Sequence, residues 1–500
     1  MVLQILFSLP DRFPEAYDFI SSYLPYILAT SIALYTIYLY SQGRTTTRER
    51  DLHARKFLLT GGFTPTGLTV LKALAERGAH IIALTSNNSA GGIDDPRIQL
   101  VVDVLRSTTS NEQIYAEECD LTSPGSIEAF CTQFLKGEEK RLDGVVFMHE
   151  YAHVGVLPSF LSRKSVESER KKEQLTRDIS SLSTFLLTTL LLPSLLTAPV
   201  ERDIRIINVV NRFYAAAAGP VFDPNFESFS LPESSESSSS KTKSSPNHSI
   251  FLSEGLRSLR TILLTRHLQR ILDALPSAQV PKATTSASAV PVVSAKSQKS
   301  NIVAVTVSPG ISRVDTVSRM LGADWAVGSS FSVLGLLLYL SLLLPLRIFT
   351  KSPVSSIRTI LHALFLPTPF KTVFSTSTSS SVPSSSSTPS DTSEAASPDF
   401  SPIEVLKPGA LYAECAVLHL NIPIPKDKQA SSTSISEKKT PGHGKEKEEE
   451  TMDLPDDREY GGEEVGRKVW EAYEGALKVW QGLAKASEKE EVKHEEPKQT

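Results

Sequence analysis

The sequence predicts an α/β fold, a doubly wound parallel sheet that helices cover on both faces. Short runs of Val, Ile and Leu alternate with amphipathic segments of helical period through residues 56–307, and a glycine-rich turn follows the first run. Strands that are apolar throughout are typical of parallel sheets, whose two faces are both buried. This alternation predicts six strands joined by helices.

The first strand, around 57–59, leads into a turn that contains Gly61, Gly62 and Gly67. Only a residue without a Cβ atom lets the backbone approach a pyrophosphate at a helix N-terminus. The turn therefore indicates the start of a dinucleotide-binding βαβ unit. The alternative is that the glycines serve only the packing of a tight strand-to-helix turn.

The other elements follow in the order that a doubly wound sheet requires. Strands are predicted over 80–85, 113–120, 143–149, 205–210 and 302–307. Helices are predicted over 68–77, 96–105, 126–135, 179–192 and 252–275. Each helix connects two strands, as in a sheet wound in both directions.

Composition limits the folded part and its partners. The net charge of −4 is small and mixed, so no nucleic-acid surface is expected. The three cysteines lack metal or disulfide spacing and are predicted to be packing residues in a reducing compartment. Segments rich in Ser, Thr and Pro are predicted as disordered insertions into a domain of residues 55–424; they are 227–249, 276–300 and 374–402. A charged linker (425–458), a C-terminal helix (459–484) and a charged tail (485–500) follow.

The N-terminal part differs in kind. After a short segment (1–19), residues 20–41 are uncharged and apolar, and as a helix they would extend roughly 30 Å, enough to cross a bilayer. Several arginines follow, beginning at Arg44, whereas one precedes. The positive-inside rule therefore predicts a single-pass anchor with a cytosolic C-terminal domain. The endoplasmic reticulum, lipid droplets and the mitochondrial outer membrane all fit; a cleaved signal peptide is the competing interpretation.

Two further uncharged runs have other interpretations. Residues 179–200 carry many hydroxyl side chains and Pro193, which favours a buried helix between the sheet and a neighbouring subunit. Residues 326–346 are more apolar. They could be a second membrane contact that enters one leaflet, or a lid helix over an apolar pocket.

Six short motifs share their order and spacing with one family. They are Thr60–Gly67, Cys119–Thr122, Ser308–Gly310, Lys351–Pro353, Gly409–Cys415 and Val469–Glu471. On these motifs, the chain from about Lys56 to Trp480 resembles the short-chain dehydrogenase/reductase family and, within it, the membrane-bound retinol-dehydrogenase-like branch. The resemblance implies a Rossmann-like fold and NAD or NADP as cofactor. It implies these cofactor-binding residues: Thr60, Gly61, Gly62, Gly67, Asp120, Pro309 and Gly310.

The chain departs from the family pattern at the residues that carry the chemistry. Pro65 replaces the middle glycine of the turn, and Phe147–Glu150 replaces Asn-Asn-Ala-Gly. The four catalytic positions of the family hold Ser180, Asn211, Glu254 and Ser258 in place of Asn, Ser, Tyr and Lys. After the second strand, residues 85–88 offer neither an acid nor an Arg, so the choice between NAD and NADP is not predicted.

These departures predict a loss of the family's reaction. Hydride reduction of a carbonyl needs a proton donor at the forming alkoxide, which the family supplies as a phenol with its pKa lowered by Lys. Glu254 provides neither the phenol nor the cation, and Tyr214 is a poor substitute because no Lys follows at the needed spacing. His149, Tyr151 and His153 would share one face of a strand end. We expect them to line the cleft and bind no metal.

Three functions follow. The first is a membrane-anchored, catalytically degenerate member of the family that binds a nucleotide, lipid or protein partner, possible homodimers included. The second is an active NAD(P)-dependent oxidoreductase acting on a lipophilic alcohol or ketone. The third is a membrane scaffold that recruits partners through its Ser-rich loops.

Overall fold

The fold is a single eight-stranded sheet between two layers of helices. The structure, a computed structural model, describes residues 14–86, 96–137, 141–157, 166–197, 202–218, 229, 249–279, 300–324, 332–369, 404–422, 454 and 459–495. The strands are β1 Lys56–Thr60, β2 His80–Thr85, β3 Ile114–Glu118, β4 Gly144–Phe147, β5 Ile204–Val209, β6 Ile302–Ser308, β7 Leu411–Ala413 and β8 Ala416–Leu418. Their order is β3-β2-β1-β4-β5-β6-β7-β8.

The first seven strands are parallel, and only β8 runs antiparallel, against β7. The predicted Rossmann-like sheet of six parallel strands is confirmed. β7 lies in the motif Gly409–Cys415, whereas β8 was not predicted because three residues carry no readable alternation. The strand order reverses between β1 and β4, which places the cleft of this fold at their carboxyl ends.

Ten helices are labelled here. They are α1 Pro14–Ser41, α2 Pro65–Ala75, α3 Pro96–Thr109, α4 Pro124–Lys136, α5 Val166–Leu196, α6 Ile250–Gln279, α7 Val333–Ser341, α8 Leu343–Phe349, α9 Pro353–Phe365 and α10 Gly462–Glu495. Three of them begin with a hydroxyl residue followed by Pro: α2, α4 and α9. The hydroxyl caps a backbone N–H of the first turn, and Pro needs no partner at the first helical position. These helices therefore begin before the first apolar residue of their pattern.

Each face of the sheet has its own core. Helices α4, α5, α6 and α10 cover one face, and α2, α3 and α9 cover the other. Within β1, Leu58 packs on the first side and Leu59 on the second, as the alternation of a strand requires. All three cysteines are free and buried, as the packing interpretation predicted.

Several predicted boundaries are wrong. The strand predicted over 143–149 ends at Phe147, and His149–Ala152 form a helical turn. Helix α10 continues to Glu495, into the predicted charged tail, and packs into the core of the domain through Val465, Val469 and Tyr473. Helix α6 continues to Gln279, past the predicted start of the second insertion. Most of the three predicted insertions and of the 425–458 linker lies outside the described residues.

Among the described residues, two helices are long and apolar enough to cross a membrane. The window Ser22–Ser41 of α1 has no buried residue, whereas most of the window Arg170–Leu196 of α5 is buried. Helix α5 is therefore a core helix of this chain. Its predicted burial is confirmed, whereas its predicted contact with a neighbouring subunit stays a prediction. Helix α1 begins at Pro14, six residues before the predicted anchor.

Candidate functional site

The glycine turn between β1 and α2 depends on close backbone contacts. Gly61 has φ 67°, and a Cβ atom there would lie 2.8 Å from the backbone nitrogen of His149. A Cβ atom on Gly67 would lie 2.2 Å from the carbonyl oxygen of Gly61. Such distances leave no space for any side chain. Packing alone therefore explains Gly61 and Gly67, whatever they bind.

The first turn of α2 offers few free donors to an anion. Pro65 has no N–H, and the N–H of Gly67 donates to Oγ1 of Thr64 at 3.1 Å. Both the N–H and the hydroxyl of Thr66 point to the carboxylate of Asp315, with the nitrogen 3.5 Å from Oδ1. A helix N-terminus binds phosphate through such groups. In this chain, an internal carboxylate contacts the turn instead.

Asp315 is held in that position by its own segment. The residue is fully buried in a short π-helical turn, Arg313–Val317, that follows β6. The hydroxyl of Ser312 lies 3.3 Å from Oδ2 of Asp315 and caps the same turn. Sequence reasoning missed Asp315 because nothing in the chain near it indicates a contact 249 positions away.

The residues that replace Asn-Asn-Ala-Gly fill the end of β4. His149 bonds to Thr60 Oγ1 at 2.7 Å through Nδ1 and lies 3.0 Å from the carbonyl of Ser180 through Nε2. Burial lowers the pKa of this imidazole. The carboxylate of Glu150 accepts bonds from Thr184 at 2.5 Å and Thr261 at 2.9 Å. At this end of β4, the cleft is therefore filled by side chains that form hydrogen bonds with one another and with nearby backbone carbonyls.

The predicted common face of His149, Tyr151 and His153 is wrong, because the segment is helical. The hydroxyl of Tyr151 donates to the carbonyl of Gly310 at 3.1 Å, so this phenol is engaged beside the predicted nicotinamide position. Among the residues that the structure describes, no group of three His, Cys, Asp or Glu side chains could hold a metal ion.

Two of the four catalytic positions meet. Asn211 Nδ2 donates to Glu254 Oε1 at 2.9 Å, and both side chains are buried. Ser258 follows one helical turn after Glu254, also buried, and its hydroxyl has no hydrogen-bond partner among the described residues. Ser180 lies on α5, where its carbonyl accepts from His149 and Ser183. The motif order matched Asn211 and Glu254 to two catalytic positions of the family, and their contact in the structure is consistent with that match.

Two arginines that sequence reasoning missed complete the site. Arg257 Nη2 binds Glu254 Oε1 and also donates to the carbonyl of Glu150 at 2.5 Å. Arg177 Nε lies 3.5 Å from Glu254 Oε2. Burial raises the pKa of Glu254, while the two guanidinium groups oppose this rise. One usable signal was an Arg three residues after Glu254, a spacing at which two side chains of one helix can pair.

This arrangement is a buried ion-pair network rather than a proton relay. Glu254, Arg257 and Arg177 are each at most 3% exposed. Arginine stays protonated at any pH relevant to a protein, so it cannot donate a proton to an alkoxide as a phenol does. Tyr214 is buried in a separate helical turn against the α6 side of the sheet, and burial raises its pKa.

The remaining predicted cofactor residues lie at the expected edge of the sheet. Asp120 follows β3 and accepts from the N–H of Thr122 at 2.9 Å and from Ser86 at 3.2 Å. Pro309 and Gly310 follow β6, where Gly310 has φ 99° beside the side chain of Lys351. With the turn after β1, they share the carboxyl edge of the sheet. Their binding of a cofactor stays a prediction; residues 87 and 88 lie outside the described part.

The chain is similar in sequence to several known proteins. The KR domain family matches residues 56–165. The chain is 33% identical over 199 residues to an uncharacterized oxidoreductase of Saccharomyces cerevisiae, a match that covers 39% of this chain and 46% of that protein. It is 27% identical over 161 residues to retinol dehydrogenase 11 of Homo sapiens, covering 32% and 45%. The chain thus spans less than half the length of these two curated relatives.

Among solved structures, one neighbour is the NADPH-bound short chain oxidoreductase from Pseudomonas aeruginosa PAO1 described as containing an atypical catalytic center. It is 16% identical, with a TM-score of 0.36, and the match covers 63% of this chain and 90% of that one. The motifs in their order, the parallel sheet with its glycine turn and the matching relatives lead to one conclusion. These findings support membership of the short-chain dehydrogenase/reductase family for this chain.

Proposed function

We propose that this chain is a membrane-tethered, catalytically degenerate member of its family that uses the fold for binding. The observation that carries the proposal is the buried pairing of Glu254 with Arg257 and Arg177. Glu254 stands at the position of the family's Tyr, and Ser258 stands at the position of its Lys. General acid catalysis contributes about 10²–10⁴-fold to such reactions. A site without the acid therefore loses most of its rate.

The proposed ligand is a nucleotide, a lipid or a protein partner. Family membership and the glycine turn favour NAD or NADP. Asp315 opposes tight binding, since its carboxylate lies at the donors of Thr66 that a pyrophosphate would otherwise use. Like charges brought close together in a site of low dielectric repel each other strongly. We therefore infer weak nucleotide affinity in this chain.

The proposed tether is α1, with the folded domain on the cytosolic side. Its window Ser22–Ser41 is uncharged and has no buried residue, so an apolar surrounding is needed to cover it. Arg44 and Arg48 follow directly, as in a cytosolic flank. The compartment remains open among the endoplasmic reticulum, lipid droplets and the mitochondrial outer membrane.

A second candidate is an active oxidoreductase on a lipophilic alcohol or ketone. The match to retinol dehydrogenase 11 favours it, because that protein's name states a lipophilic alcohol as substrate. The scaffold hypothesis depends on segments outside the described residues. Capture of a partner that survives disruption of the folded domain would favour the scaffold.

The test uses the full chain in nanodiscs. NADH and NADPH are titrated while nucleotide fluorescence and thermal unfolding are followed, because a ligand that binds only the native state raises the melting temperature. Retinal and sterol ketones are then offered with each nucleotide. We expect weak binding and no turnover above the protein-free rate. Turnover that Asn211→Ala abolishes, while the variant keeps its thermal stability within the error of measurement, would establish the oxidoreductase instead.

A further inference from the structure

Helices α7 and α8 expose an unusually apolar surface. Residues 333–346 contain no charge, and nine of these fourteen residues are leucine. The side chains between 38% and 74% exposed are Val333, Leu334, Leu337, Leu338, Leu340, Leu342, Leu343, Leu344 and Phe349. Large contiguous apolar patches on a protein mark binding surfaces. This patch therefore needs a partner.

The pair is attached to the domain along its other side. A Cβ atom on Gly335 would lie 1.7 Å from the carbonyl oxygen of Leu321, so α7 packs backbone to backbone there. The N–H of Ser332 donates to the carbonyl of Gly322 at 2.9 Å. Glycine at the contact fixes which side of α7 faces the protein. The leucines at 334, 337 and 338 are left on the outer side.

The end of α8 meets the end of α1. The hydroxyl of Ser41 donates to the carbonyl of Ile348 at 2.5 Å, and the side-chain nitrogen of Gln42 donates to the backbone carbonyl of Thr350 at 3.3 Å. Both helices thus end at one level of the molecule. Two exposed arginines are near these helix ends in the sequence: Arg44 comes just after the end of α1, and Arg347 lies in the last turn of α8. Arginines at the end of an apolar helix are typical of a membrane–water interface.

Neither helix spans a bilayer by itself. The nine residues of α7 extend about 14 Å and the seven of α8 about 10 Å, each less than half of a hydrocarbon thickness of about 30 Å, and the two are separate helices that meet at Leu342. Short apolar helices of this kind are typical of re-entrant or interfacial segments. A lid over an apolar pocket would instead turn its leucines toward the protein, and among the described residues they face outward.

We propose that α7 and α8 insert into the leaflet that α1 enters at its Ser41 end, so that the domain is held to the bilayer by two contacts. The proposal rests on the proposed tether and adds a fixed orientation. The segment follows β6 and Asp315, so the second contact also brings the cleft side of the domain to the lipid surface.

The experiment places an environment-sensitive NBD probe at single introduced cysteines in the full chain. The chain is reconstituted into vesicles of phosphatidylcholine and phosphatidylglycerol, with or without lipids that carry a shallow nitroxide quencher. The test variants are Leu337→Cys and Leu344→Cys. Leu100→Cys is the matched control, because Leu100 is 64% exposed on α3. Ile32→Cys in α1 reports on the tether, and the wild-type chain with its buried cysteines is the blank.

We expect quenching of about twofold or more at Leu337 and Leu344, as for groups at the acyl boundary, and none at Leu100. Probes at Leu337 and Leu344 that behave like the one at Leu100, while Ile32 is in lipid, would overturn the second contact and leave the tether intact. An apolar emission that the quencher leaves unchanged would assign the patch to protein, and would also overturn it. A probe at Ile32 that stays in water would refute the tether and this inference together.

Discussion

Glu254→Gln tests the buried ion-pair network most directly. The substitution keeps the size of the side chain and an oxygen that can accept from Asn211, whose nitrogen is 2.9 Å away. It removes the negative charge that faces Arg257 and Arg177. Because glutamine has nearly the same shape as glutamate, we expect the packing to be retained and the measured effect to report on the lost charge.

The expected magnitude follows from burial. Glu254 is 0%, Arg257 1% and Arg177 3% exposed, so neither cation can recover its hydration when the anion is lost. Breaking a buried pair by removing one partner costs about 3–5 kcal/mol. Arg177 keeps Glu173 as a second partner at 3.4 Å, which places the expected loss at the lower end, about 3 kcal/mol.

The assay is urea unfolding of the full chain in detergent, followed by circular dichroism. The matched control is Glu76→Gln, because Glu76 pairs with Lys72 at 3.7 Å on an exposed helix surface. Such a pair contributes about 0.3–0.5 kcal/mol. A further variant combines Glu254→Gln with Arg257→Met and so removes both charges of the Glu254–Arg257 pair. We expect it to recover most of the free energy of unfolding that Glu254→Gln loses.

A free energy of unfolding for Glu254→Gln within about 0.5 kcal/mol of wild type, as for the surface control, would refute the reasoning. It would mean that the carboxylate is not paired in the native state. Failure of the double variant to recover would mean that Arg257 stabilises the chain through its bonds to the carbonyls of Glu150 and His153 instead.

Three further predictions concern the turn, the cofactor and pH. Asp315→Asn should tighten NADPH binding about tenfold in a fluorescence titration, because the substitution removes a negative charge from the N-terminus of α2. Unchanged affinity would contradict this prediction. Gly67→Ala should cost about 1–3 kcal/mol of unfolding free energy because its Cβ would overlap the carbonyl of Gly61, whereas Gly482→Ala, which meets nothing within 4 Å, should stabilise by about 0.5–1 kcal/mol. Burial lowers the pKa of His267 to about 4, so the unfolded chain takes up its proton first and stability falls as the pH drops from about 6.5 toward 4. In His267→Gln, the dependence of unfolding free energy on pH in that window should be flatter by up to about 1.4 kcal/mol per pH unit, and an unchanged slope would contradict the assignment.

The strands were predictable because their burial is continuous. Every residue of β4, β5 and β6 is buried, and such runs are readable without knowledge of the partners. The starts of α2 and α4 were missed by two or three residues, because apolar periodicity begins after the cap. The pairs Thr64–Pro65 and Ser123–Pro124 carried the missing signal.

The site was predictable only in part. The motif order aligned Asn211 and Glu254 with positions of one catalytic set, and the structure brings these two side chains together. Arg177 and Asp315 gave no local signal. Arg177 lies on α5 and contacts Glu254 on α6. Asp315 follows β6 and contacts Thr66, which follows β1, three strands away in the sheet. Pairings between distant segments depend on topology, which a single sequence does not display.

The sequence by itself determined the parallel sheet, the glycine turn, an apolar segment long enough to cross a bilayer and the loss of the family's Tyr and Lys. These features are local, since each follows from the side chains of one short segment. The tertiary structure decided what fills the vacated positions: the network of Glu254 with two arginines, and the carboxylate of Asp315 at the start of α2. It also brought α8 to the end of α1. Those contacts exist because folding buries charges and polar groups from distant segments together, and each buried group must then find its partner there.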